Sequence, residues 1–178
     1  MRPSRTVTPQ PSPPPAAAPS LREECGLVAP RPALRAWPPD AHLLAAVLVA
    51  LPLWLALGLF APGLLRAPAA GWAWVSLVLV QPLLEELVFR GILQGQLLRL
   101  TAARRAAGPL SWANLAVSAA FAALHLPTQA PASALAVFFP SLVFGHLRER
   151  FGSVWPAVAV HAYYNLGLAL TAWLSAAR

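Results

Sequence analysis

Residues 72–98 read WAWVSLVLVQPLLEELVFRGILQGQLL, an apolar run that is uncharged until Glu85, Glu86 and Arg90 enter it. A helix of this length, at about 1.5 Å per residue, covers the ~30 Å hydrocarbon core of a bilayer. Four other stretches, 41–62, 111–126, 131–147 and 154–177, carry no Asp, Glu, Lys or Arg and are long enough, or nearly so, to do the same. With 58% hydrophobic residues, 11% charged residues and a mean hydropathy of +0.60, the chain lies outside the range of soluble domains. The expected fold is all-α, a polytopic membrane helix bundle of about five transmembrane helices over residues 40–178. Residues 1–39 hold 11 of the 20 prolines and no apolar periodicity. They are expected to form a disordered, Pro/Arg-rich cytoplasmic tail, since such a composition buries too little surface to offset its ordering entropy.

The net charge is +7 and all 13 basic residues are arginine, which with the many alanines points to a GC-rich bacterial genome. No basic cluster is interleaved with aromatics, so nucleic acid is not an expected partner. The arginines fall instead in alternate loops. Arg2, Arg5, Arg22, Arg31 and Arg35 precede the first span, Arg99, Arg104 and Arg105 follow the second, and Arg148 and Arg150 follow the fourth. Positive charge is retained on the cytoplasmic side, so the N-terminus is expected there and the protein in the bacterial inner (plasma) membrane. Cys25 is the only cysteine, which excludes an internal disulfide.

Two adjacent carboxylates inside an apolar helix are too costly to be filler. Each costs about 2.5–3.5 kcal/mol near the bilayer centre even on the lenient insertion scale. Glu86 and Arg90 stand four residues apart on one helix face and can pair. Glu85, about 100° around the helix, is left to face something else. The groups it could face are His125 at the end of the third apolar stretch and His161 in the fifth, one turn before Asn165. These residue types suit hydrolysis by an activated water. A desolvated carboxylate accepts a proton near neutral pH, an imidazole orients the water, and His or Asn donors stabilise an oxyanion. No Ser or Cys stands beside a His in sequence, so a nucleophilic triad has little support. Two His and one Glu could instead hold zinc, with Glu85, His125 and His161 as ligands. No His-Glu-x-x-His accompanies them, and no cofactor is the first expectation. His42 and His146 lie near the membrane edges, where interfacial solvation accounts for both.

The motifs Glu85-Glu86-x-x-x-Arg90, Phe121-x-x-x-His125 and His161-x-x-x-Asn165, in that order on apolar helices, resemble the CPBP family of intramembrane proteases. That family includes the type II CAAX prenyl endopeptidases and bacteriocin-processing proteins. The resemblance implies a glutamic-type endopeptidase acting near the membrane-anchored C-terminus of a protein or peptide, with the bilayer as its surroundings. In bacteria it also implies the processing of C-terminal sorting signals. Carried over by position, Glu85 activates water with His125 as its partner, and His161 with Asn165 stabilises the oxyanion. Glu86, Arg90 and Phe121 support them, and the division of labour between Glu85 and Glu86 stays open. The competing expectations are the zinc-dependent version and a non-catalytic membrane scaffold or immunity protein.

Overall fold

The computed structural model describes residues 18–31, 40–69, 71–107 and 109–177. A short helix α1 (Leu21–Glu24) precedes α2 (Ala41–Phe60), and a 3-10 turn at Pro62–Leu64 follows it. Next come α3 (Trp72–Leu97) and α4 (Thr101–Arg104). A ribbon of two two-residue strands, Ala106–Ala107 and Leu110–Ser111, closes the turn into α5 (Trp112–His125). The chain ends with α6 (Pro131–Ala136), α7 (Phe138–Phe151) and α8 (Trp155–Ala176). The helices α7 and α8 form the centre: α7 packs on α5 and α8, while α8 also packs on α2 and α3.

The pattern of burial is that of a helix bundle in lipid. In α2 only Ala46 and Ala50 are buried, while Leu44, Leu48, Leu51, Leu53, Leu55 and Leu59 face outwards. Small residues bring backbones together and large apolar ones meet the acyl chains. Gly167 of α8 lies under the Trp54 ring, and Gly145 of α7 lies under the Asn114 carboxamide, so neither position has room for a Cβ. The core between them comprises Ala46, Phe144, Leu147, Phe151, Ala157 and Val160.

Several expectations change. Among the described helices, α2 and α3 are long and apolar enough to cross a membrane, and α5 is a shorter apolar helix. The stretch 131–147 is not one helix. It breaks at Val137, and α7 runs on to Phe151, taking Arg148, Glu149 and Arg150 into the helix. Residues 18–31, placed by their composition in a disordered tail, lie against the bundle. Ser20 and Glu23 form a reciprocal cap on α1, Gly26 accepts from the Val154 amide at 2.9 Å, and Ser153 Oγ donates to the Val28 carbonyl at 2.7 Å. Backbone hydrogen bonds to helix ends, invisible to composition, order this segment as a strap. Residues 1–17 and 32–39 of the expected tail lie outside the described residues.

At one end of the bundle the start of α2 is fastened to the end of α7. Asp40 caps α2 through the His42 and Leu43 amides, and its carboxylate meets the Arg150 guanidinium at 2.6 Å. His42 and His146, expected to be merely solvated, stack at 4.9 Å with Nδ1 and Nε2 2.9 Å apart. Hydrogen bonds from Arg150 hold the Asp40 carboxyl down from 3.8 to about 2. A carboxyl lowered by folding stabilises the fold above its unfolded value and loses that contribution as pH falls through its folded one. Asp40→Ala should therefore lower the thermal midpoint in detergent at pH 7 by the modest amount of a cap plus an exposed pair. The gap to the wild type should narrow as pH falls from 3.8 towards 2. A constant gap between pH 7 and pH 2 would show that the ionised pair contributes nothing.

Candidate active site

The site is built around an irregular helix. Residues Ser76–Val80 and Leu87–Leu93 of α3 are wound as π turns on either side of the α-helical stretch Gln81–Glu86. π turns are rare and collect at functional sites, because each inserts a residue and rotates the remainder of the helix. The return from five-residue to four-residue hydrogen bonding also skips one carbonyl. In the first turn the Gln81 amide reaches back to Ser76, and the next residue, Pro82, has no N–H, so the Leu77 carbonyl is left without a donor in its own helix. Asn165 of α8 supplies one, its Nδ2 donating to Leu77 O at 2.9 Å. Pro82, a residue that kinks a regular helix, is thus absorbed by a π turn and a cap from a neighbouring helix.

Glu86 is fully buried, and both its carboxylate oxygens are engaged. Oε2 accepts from Arg90 Nε at 3.2 Å, and Oε1 lies 2.8 Å from His161 Nδ1, the distance of an N–H donated to a carboxylate. Arg90, also fully buried, donates from Nη2 to Ser141 Oγ of α7 and stands over the Phe121 ring at 5.8 Å. Glu85 differs: its side chain is 31% exposed, and Oε2 lies 3.8 Å from His161 Nε2. One imidazole therefore addresses both carboxylates, one through each nitrogen. Phe144 stacks on that imidazole with centroids 4.6 Å apart and planes 17° from parallel, which fixes its plane.

The structure thus brings together Glu85, Glu86, Arg90 and His161. His125 is the last residue of α5. Its Nδ1 lies 2.8 Å from the Phe121 carbonyl of its own helix, and it forms no hydrogen bond or ion pair with either glutamate among the described residues. Phe121 links the two halves, with its ring 4.6 Å from His125 and 6.2 Å from His161. Asn165, expected beside an oxyanion, has one N–H committed to Leu77. Among the described residues no group of three His, Cys, Asp or Glu side chains converges as metal ligands would, so Glu85, His125 and His161 do not form a compact triad.

Sequence reasoning missed a polar seam that extends the site. Gln94, fully buried, donates to the Gly145 carbonyl at 3.1 Å and to Glu149 at 2.6 Å, and Glu149 also accepts from Ser111 Oγ at 2.6 Å. Asn114 spans α5 to α7 through the Leu142 carbonyl. The signal was spacing, since Glu86, Arg90 and Gln94 follow one another at four-residue steps and mark one face of α3.

The family model described as type II CAAX prenyl endopeptidase Rce1-like matches residues 66–167, more than half the chain. The chain belongs to this family. It is therefore a protease-family membrane protein, and the matched region contains Glu85, Glu86, Arg90, Phe121, His125, His161 and Asn165. Comparison with curated proteins and with solved structures finds no match.

A buried ion pair is a matter of balance, and removing one partner leaves an uncompensated charge. Arg90→Met should destabilise the detergent-solubilised protein by about 3–5 kcal/mol. The double change Glu86→Gln with Arg90→Met should cost clearly less than Arg90→Met alone. Chemical denaturation of Arg90→Met, Glu86→Gln and the double variant measures this, and additive losses would show that the two side chains act independently.

Proposed function

We propose that this protein is an intramembrane endopeptidase that hydrolyses a peptide bond near the membrane-anchored C-terminus of a protein or peptide, using water activated between Glu85 and His161. The observation that carries this reading is the single imidazole of His161 set between a fully buried, fully bonded Glu86 and a part-exposed Glu85. Glu86, with both oxygens occupied, orients His161 and fixes the proton on Nδ1, leaving the Nε2 lone pair towards Glu85. The 3.8 Å between Nε2 and Glu85 Oε2 is too long for a direct hydrogen bond and suits one water bonded to both.

The chemistry then proceeds in balanced steps. Glu85 takes a proton from the water as its oxygen bonds to the scissile carbonyl carbon, giving a tetrahedral intermediate. Donors around the intermediate stabilise its oxyanion: the second Nδ2–H of Asn165 has no partner among the described residues and is available for this, and so is an Nε2–H of His125 when that ring carries both protons, its Nδ1–H being given to the Phe121 carbonyl. The C–N bond breaks as the proton held by Glu85 passes to the leaving nitrogen, releasing a carboxylic acid and an amine. Membership of the CAAX-type family supports a substrate held in the bilayer, and processing of C-terminal sorting signals is the form this takes in a bacterial inner membrane.

The test is cleavage of a panel of fluorogenic peptides with an apolar C-terminal anchor, by purified protein in lipid vesicles. Glu85→Gln and His161→Ala should each lower kcat by about 10²–10⁴-fold, the range of general acid–base catalysis. His125→Ala should lower it by about 10²–10³-fold, as for loss of an oxyanion donor. Unaltered cleavage by Glu85→Gln would defeat the assignment of the base. Loss of wild-type activity in strong chelator, with recovery on adding zinc, would replace this mechanism by the metal-dependent one. No cleavage across the panel would favour a scaffold.

A further inference from the structure

The second π turn of α3 leaves its own skipped carbonyl, one turn from the catalytic pair. The Gln94 amide reaches back five residues to Phe89, and the next donor, Gly95, is already in the α-helical stretch Gln94–Leu97, whose four-residue reach is Gly91. The carbonyl passed over is that of Arg90, the residue that holds Glu86. It is not left unpaired: Arg148 Nε of α7 donates to it at 3.2 Å. The same guanidinium donates from Nη2 to the Glu24 carbonyl of the strap at 2.7 Å. Arg148 is 4% exposed, so this is a buried side chain and not the cytoplasmic-loop arginine that the charge pattern suggested.

The strap reaches Arg148 because α3 is flat there. A Cβ on Gly95 would come within 2.5 Å of the Glu24 carbonyl oxygen, and one on Gly91 within 3.3 Å of that of Cys25. Two glycines one turn apart, the spacing that elsewhere brings two membrane helices into contact, here admit the C-terminal turn of α1. Gly26, at φ +66°, turns the strap beside Arg148.

We propose that Arg148 is a positioning residue of the protease. It caps the orphan Arg90 carbonyl and so holds the π register that aims Glu86, and with it His161, while its other arm ties the N-terminal strap to the same turn. Asn165 does the corresponding work on Leu77 at the other π turn, so the helical stretch Gln81–Glu86 is fixed from both sides. A planar guanidinium with five donors can serve two carbonyls at once, and an ammonium holds such a fork poorly.

This rests on the protease reading, and the experiment separates the two. Hydrogen–deuterium exchange on the full chain in detergent compares wild type, Arg148→Met and Arg148→Lys, and the same proteins are assayed on the anchored fluorogenic peptides. Arg148→Met should raise amide exchange locally, in residues 87–95 and 20–31, and leave α2 unchanged. In the assay it should lose on the order of 10²-fold in kcat with KM nearly constant, as expected when a catalytic group is displaced by about an ångström. Arg148→Lys should recover part of both. Wild-type kcat in Arg148→Met, unchanged exchange in residues 87–95, or a lysine variant no better than methionine would overturn the proposal. If the wild type cleaves nothing, the protease reading fails, and the exchange pattern alone still decides whether Arg148 holds the turn.

Discussion

The structure depends on one carboxylate buried in the middle of a membrane helix and paired there on both oxygens. Glu86 has no exposed surface, so a charge there is acceptable only because Arg90 answers one oxygen and His161 the other. Each partner is then constrained in turn. Arg90 is bonded to Ser141, which brings in α7, and His161 is stacked on Phe144 of the same helix and carried by α8. Three helices therefore meet at one carboxylate, and the remaining polar contacts of the seam, from Gln94 to Glu149 and Ser111, extend that meeting towards the end of the bundle.

The irregular winding of α3 belongs to the same constraint. A regular helix through residues 72–97 would satisfy its own backbone but would fix the rotation of Glu85 and Glu86 relative to both ends of the span. Two π turns release that rotation at the expense of two carbonyls, and the neighbouring helices return the missing donors through Asn165 and Arg148. In a bilayer such carbonyls are tolerated only where other protein groups meet them. The helix irregularity and the polar side chains facing it are thus one feature, seen once from the backbone and once from the side chains.

Much of this was legible in the sequence. The apolar stretches 41–62, 72–98, 111–126 and 154–177 each hold one helix, whereas 131–147 breaks at Val137, and the Glu86–Arg90 pair was legible because four residues is the helical repeat. What was not legible depended on backbone geometry. Asn165 was expected to face an oxyanion; that it also caps Leu77 could not be read, because the acceptor comes from the π turn Ser76–Val80 just before Pro82, which no residue pattern announces. Arg148 counted as a loop charge because it comes after an apolar stretch, whereas α7 continues to Phe151 and buries it. The strap of residues 18–31 was hidden by its proline-rich surroundings, since what orders it is main-chain hydrogen bonding to helix ends and the flat face at Gly91 and Gly95. His125 was grouped with Glu85 by motif, and what the motif could not announce is that its ring packs on Phe121 and its Nδ1 is taken up by the Phe121 carbonyl.

The central claim is that water, and not a carboxylate, attacks the peptide bond. A single turnover in ¹⁸O-labelled water, with enzyme in excess over an anchored peptide, tests it directly by mass spectrometry of both the product and the protein. The account predicts that the new carboxyl group of the product carries the label and that Glu85 and Glu86 carry none. Label in the side chain of Glu85, with an unlabelled product, would mean that a glutamate had formed a covalent anhydride with the substrate, and would contradict it.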